Sequence, residues 1–101
     1  MDVPVIAVTA ELDMASVDEF REAVAQVPGA PERILVDLTE TPFIDSMGLS
    51  ALIEVHHELR SGGRGLALVA PRGTPAAQLL TLTQLRPQLP TYESRAAALD
   101  A

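Results

Sequence analysis

The side chains able to do chemistry are few, and their spacing narrows what they could do. His56 and His57 stand between Glu54 and Glu58 in a stretch of helical periodicity. Two histidines chelate one ion from a helix when they lie four residues apart, on one face. Adjacent histidines point about 100° apart and cannot close on the same ion. Glu54 and His57 do have the i, i+3 spacing of a carboxylate-bridged dimetal helix, but that chemistry needs the motif twice, and the chain holds one copy. The expectation is therefore no metal ligands, with His56 at the core margin and His57 in solvent. Ser46 is the one serine set on a strand–loop–helix turn. No G-x-S-x-G elbow surrounds it, and the two histidines follow ten and eleven residues later, roughly 15 Å up the same helix. Ser-His-Asp catalysis is not expected, and without cysteine there is no thiol nucleophile either.

Two glycine-bearing turns complete the inventory. Ser61-Gly62-Gly63-Arg64-Gly65 runs from helix into strand, the wrong way round for a phosphate cradle, which needs a helix N-terminus facing the anion. A helix cap followed by a turn accounts for it. Arg72-Gly73-Thr74-Pro75 does run from strand into helix, but lacks the Walker lysine, so an ordinary capped helix outweighs a weak anion contact. No catalytic residue, metal or cofactor is expected. What remains is Asp45-Ser46-Met47-Gly48-Leu49. Ser46 is read as the N-cap of the helix that follows. Gly48 in the first turn costs helix stability, which implies an exposed or closely approached backbone. Phe43, Ile44, Met47 and Leu49 would form an adaptable apolar rim around the hydroxyl.

The elements that must position these residues follow from periodicity. Val3–Leu12 is rich in β-branched residues and reads as a first strand. Ser16-Val17-Asp18-Glu19 has the pattern of a capping box, opening a helix with Val17, Phe20, Val24 and Val27 on one stripe. Arg33–Thr39 is a nearly continuous apolar run, as in a strand buried on both faces. A second helix runs from Ser46 to about Arg60, with Leu49, Leu52, Ile53 and His56 inward. Gly65–Ala70 is a third buried strand. Thr74 caps a third helix bearing Leu79, Leu80 and Leu82, with Pro75 in the tolerated first-turn position. Leu89–Tyr92 contains Pro90 and belongs at a sheet edge. Ser94–Ala101 reads as a terminal helix. This β-α alternation predicts an α/β fold: one domain over residues 1–101, with a four- to five-stranded mixed, largely parallel sheet and about four helices on at least one face.

Composition excludes several classes. The chain has 101 residues, 48% hydrophobic and 21% charged, with a formal net charge of −7. Its seven arginines are scattered along the sequence and its only aromatics are Phe20, Phe43 and Tyr92, so nucleic acid is not an expected partner. No apolar run approaches a membrane span, and Met1–Ala10 lacks the basic region of a signal peptide. A cytoplasmic protein that binds a basic protein surface is the expectation.

In this context Asp45-Ser46-Met47-Gly48-Leu49, together with AELD (Ala10–Asp13), ILVDLTETPFIDSMGLSAL (Ile34–Leu52), GLALVAP (Gly65–Pro71) and the stretch Leu79–Leu99, resembles the anti-anti-sigma factors, stand-alone STAS domains of bacterial partner-switching systems. The resemblance implies an anti-sigma factor antagonist without catalytic activity. The unmodified form would sequester an anti-sigma factor that is a GHKL-type serine kinase, freeing a sigma factor and so regulating transcription. Phosphorylation at Ser46 would switch binding off, and a PP2C-type phosphatase would reverse it. The partner surface implied comprises Asp13, Asp45, Met47, Gly48, Leu49 and Ser50. Ala10 stands where the family has glycine, and Met47 where it often has a small residue. The family's extra first strand is shortened or missing, leaving an edge open to homodimerisation. The alternative is a STAS-type accessory subunit of a membrane transport complex.

Overall fold

The structure, a computed structural model, describes residues 3–85 and 87–100. Met1, Asp2, Arg86 and Ala101 lie outside the described residues, so the terminal helix is assessed only to Asp100. The elements alternate as β1 (Val5–Ala7), α1 (Val17–Ala25), β2 (Arg33–Asp37), α2 (Ser46–Arg60), β3 (Gly65–Val69), α3 (Pro75–Leu82), β4 (Thr91–Tyr92) and α4 (Arg95–Leu99). The four strands pair in sequence order, every pair parallel. The single α/β domain expected is present, and its four named strands are all parallel rather than mixed.

Strand order has a direct consequence for the layers. Right-handed crossovers between strands laid down in spatial order put every crossover helix on the same face. Ile34, Val36, Leu66 and Leu68 accordingly pack with Phe20, Val24, Leu49, Leu52, Val55 and Leu80 of α1–α3. The opposite face, Leu35, Ala67 and Val69, is covered by Ala98 of α4 and by Tyr92. Arg33 fastens that cover: its guanidinium donates to the Ala98 carbonyl at 2.6 Å and lies over the Tyr92 ring, 6.0 Å from its centroid. At the other end of α4, Arg95 Nε donates to Asp37 Oδ2 at 2.7 Å. β3 is buried along its whole length, as its unbroken apolar sequence requires. Each fully buried leucine or isoleucine here contributes about 1.5–3 kcal/mol.

Two expectations change. β1 spans only Val5–Ala7, not Val3–Leu12, because its partner departs: β2 ends at Asp37, and Thr41 Oγ1 donates to the Val8 carbonyl at 2.6 Å across the turn. Leu12 then forms an isolated parallel bridge with Ile44. The capping box at Ser16 does not form. Ser16 has near-helical backbone angles, and its hydroxyl donates to the Glu11 carbonyl at 2.7 Å and accepts from the Asp13 amide at 3.0 Å, holding the turn before α1. Leu82 ends α3, which bears it as expected, and is 81% exposed. Two other helix ends are as expected: Thr74 accepts from the Ala77 amide at 3.2 Å, and α2 is closed through Gly63 in the left-handed region.

His56 is 7% exposed, and its Nδ1 accepts the Leu66 amide at 3.0 Å, joining α2 to the start of β3. An acceptor at Nδ1 places the proton on Nε2 and keeps the ring neutral. Burial, then the Arg60 and His57 charges, hold its pKa below the ordinary 6.5. Below pH 6.5 the unfolded chain takes up a proton that the native ring refuses, so stability falls with falling pH. The Asp37 carboxylate, whose burial opposes ionisation, is brought below the ordinary 3.8 by Thr39 and Arg95, and its contribution is lost only in that more acidic range. Urea unfolding at pH 7.5 and 5.5 is expected to show lower stability at pH 5.5 in the wild type. The drop should be reduced in His56→Gln, and an equal drop in both proteins would show that His56 is not its source.

Candidate functional site

The C-terminal ends of β1 and β2 lead into two loops that meet at the start of α2, the region where open parallel sheets gather ligands and partners. The Leu12 amide donates to the Phe43 carbonyl at 2.9 Å, and the Asp45 amide donates back to the Leu12 carbonyl at 3.2 Å. Asp45 then ties three pieces of chain together. Its Oδ1 accepts the Gly48 amide at 2.8 Å, and its Oδ2 accepts the Met14 amide at 3.1 Å. Asp45, not Ser46, is thus the N-cap of α2. Its extended backbone turns the short carboxylate back onto the first turn, the geometry an N-cap needs.

Ser46 consequently occupies the first helical position. Its side chain is exposed, and its hydroxyl has no hydrogen-bond partner among the described residues. Gly48 and Leu49 amides are taken by Asp45 Oδ1 and by the Asp45 carbonyl, leaving the Ser46 and Met47 amides as the open donors of the helix start. A free hydroxyl stands beside two unused N–H groups at the positive end of a helix.

The other expected site residues divide. Asp13 is half-buried in the turn before α1, with Oδ1 accepting the Ala15 amide at 3.0 Å. The Asp45–Met14 hydrogen bond brings that turn beside Ser46. Met47 and Ser50 are exposed. Gly48 and Leu49 are buried, as is Ile44, so neither Leu49 nor Ile44 belongs to the apolar rim expected of them. The rim consists instead of Met14 (73% exposed), Phe43 (50%) and Met47 (49%). Met14 was not singled out from sequence. Its one signal was a large apolar side chain in the turn before the first helix.

Gly48 is explained by close approach. A Cβ there would lie 2.2 Å from the Leu12 carbonyl oxygen and 2.9 Å from its carbon. The glycine lets α2 rest against the backbone of the first loop, so its role is internal packing. At the end of β3, the Arg72 amide donates to a carboxylate oxygen of Glu93 at 2.8 Å, and Thr74 caps α3. An internal carboxylate therefore holds the one turn with an arrangement suggestive of anion binding.

A model of the STAS domain matches residues 1–98, and the chain belongs to that family. Solved structures sharing the fold include SpoIIAA, an anti-sigma factor antagonist in its unphosphorylated form (23% identity, TM-score 0.73, 95% of this chain and 84% of that one). A Thermotoga maritima structure carried under the name of an anti-sigma factor antagonist is similar (23% identity, TM-score 0.78, 95% and 85%). So is a sulfate transporter family protein from Wolinella succinogenes (16% identity, TM-score 0.78, 97% and 82%). No curated protein sequence matches the chain. No helix among the described residues is long and apolar enough to cross a membrane.

Two outcomes follow for thermal or urea unfolding. Gly48→Ala, favoured by helix propensity alone, should destabilise by about 1–3 kcal/mol, because the Leu12 carbonyl must move. An unchanged or raised stability would show that the contact yields freely. Asp45→Ala should cost about 1–2 kcal/mol as a lost cap, whereas Ser46→Ala should stay within about 0.5 kcal/mol. The reverse order would make Ser46 the cap.

Proposed function

We propose that this protein is an anti-sigma factor antagonist that works as a passive phosphoswitch. In its unmodified form it binds and sequesters a GHKL-type anti-sigma factor serine kinase in the cytoplasm, releasing a sigma factor. Phosphorylation at Ser46 ends that binding, and a PP2C-type phosphatase restores it. The observation that carries the reading is the state of Ser46: an exposed hydroxyl without a partner, one residue past an N-cap that already serves the helix. A serine free of structural duty can be modified without unfolding the domain.

The surroundings support a protein partner over a small substrate. Met14, Phe43 and Met47 offer adaptable apolar contact around the hydroxyl, while Glu11, Asp13, Glu40 and Asp45 give the same rim an acidic border. The complementary surface is basic with an apolar centre, and association with it weakens as salt rises. Phosphate adds about −2 of charge to this border. It can fold back onto the open Ser46 and Met47 amides, which favours the modified state locally, and its bulk and hydration disrupt the close apolar contact on which the partner's docking depends. The fold is common to antagonists and to transporter-associated domains, so fold alone does not choose between them; the free serine in its Asp-Ser-x-Gly setting favours the switch over the transport subunit.

With the kinase and ATP, intact-protein mass spectrometry should record one added phosphate, absent in Ser46→Ala. Ser46→Asp should bind the kinase at least tenfold more weakly than Ser46→Ala. Equal affinities would place Ser46 outside the interface, and labelling from ATP without kinase would refute the passive role.

A further inference from the structure

At the opposite end of the sheet, where the strands begin, the charge pattern reverses. Among the described residues, two grooves meet there, of about 460 and 250 Å³, and they share His56, Arg60 and Pro90 in their walls. His57, Pro87 and Gln88 complete one; Arg33, Arg64 and Glu32 contribute to the other. Three of the seven arginines, scattered in sequence, are thus gathered around one place on an acidic protein. Glu32 is the one carboxylate in these walls. Arg64 is held by its Nε, which donates to the Pro31 carbonyl at 2.8 Å. Arg60 is exposed and forms no ion pair among the described residues.

His56 supplies the second observation. The side chain is more than nine-tenths buried, and its Nδ1 is engaged by the Leu66 amide. Its other nitrogen carries the proton and has no partner among the described residues. No buried side-chain nitrogen or oxygen among the described residues lacks a partner, so this nitrogen opens onto the grooves that His56 lines, and a ring donor in a groove wall beside arginine side chains can take up an anion. The carbonyl end of α2 points toward the same region and alone would disfavour negative charge. Arg33, Arg60 and Arg64 oppose it with full positive charges.

We propose that the groove around His56, Arg60 and Arg64 binds a small phosphate-bearing anion, with His56 Nε2–H donating to a phosphate oxygen and the two guanidiniums pairing with its charge. The site lies at the other end of α2 from Ser46, so its occupancy is independent of the serine chemistry. Its success or failure leaves the phosphoswitch reading standing.

Titration of the full chain with inorganic phosphate and with pyrophosphate, at constant ionic strength set by chloride, tests this by NMR. The His56 Nε2 resonance and the Gly65 and Leu66 amides should shift saturably, more tightly with pyrophosphate. Arg60→Gln, an exposed change outside the core, should weaken binding at least fivefold. Arg72→Gln, at the far end of the sheet, should leave it within twofold. Linear shifts without saturation, equal losses in the two variants, or a His56 resonance that does not move would each overturn the proposal.

Discussion

The contact between the Leu12 carbonyl and the start of α2 is the constraint on which the upper rim depends. The space is so small that residue 48 has no room for a Cβ, and the same carbonyl accepts the Asp45 amide. Once Leu12 is held there, the Asp45 carboxylate reaches Met14 on one side and Gly48 on the other. The β1–α1 loop, the β2–α2 loop and the first turn of α2 become one rigid unit. Ser46 projects from this unit rather than taking part in it. The groups that hold the loops together are thus separate from the exposed hydroxyl.

The sheet imposes the next level of order. Strands added in sequence order place α1, α2 and α3 on one face, and the short α4 is left to close the other. Arg33 and Arg95 pin α4 at its two ends, so polar contacts substitute for the larger apolar area a longer helix would bury. Every crossover helix also runs in the same direction relative to the strands. Loops that follow strands collect at one end, and loops that precede them at the other.

That polarity sorts charge as well as chain. The acidic and methionine-bearing rim surrounds Ser46, and the arginines that begin β2, close α2 and precede β3 meet at the far end. A chain with an overall charge of −7 therefore presents two faces of opposite character. Each face suits a different kind of partner, and α2 spans the distance between them with Ser46 at one end and Arg60 at the other.

Much of this was legible in the sequence. The buried strands Arg33–Asp37 and Gly65–Val69, the span of α2, the Thr74 cap and the edge position of Thr91–Tyr92 all follow from local patterns, because apolar periodicity and cap chemistry act within a few residues. The Asp-Ser-x-Gly-Leu stretch stood out for the same local reason: a glycine costs stability in a first helical turn. What Gly48 accommodates was not legible, since Leu12 is far away in sequence. The exchange of roles between Asp45 and Ser46 was equally hidden. Both residues are good caps, and only the Met14 amide, brought in by the fold, adds the bond that favours Asp45. The exposure of Met14 and the meeting of Arg33, Arg60 and Arg64 belong to the same class. Side-chain type and short spacing are properties of the chain, whereas proximity across a sheet depends on which segments pack together, and that only the tertiary structure decides.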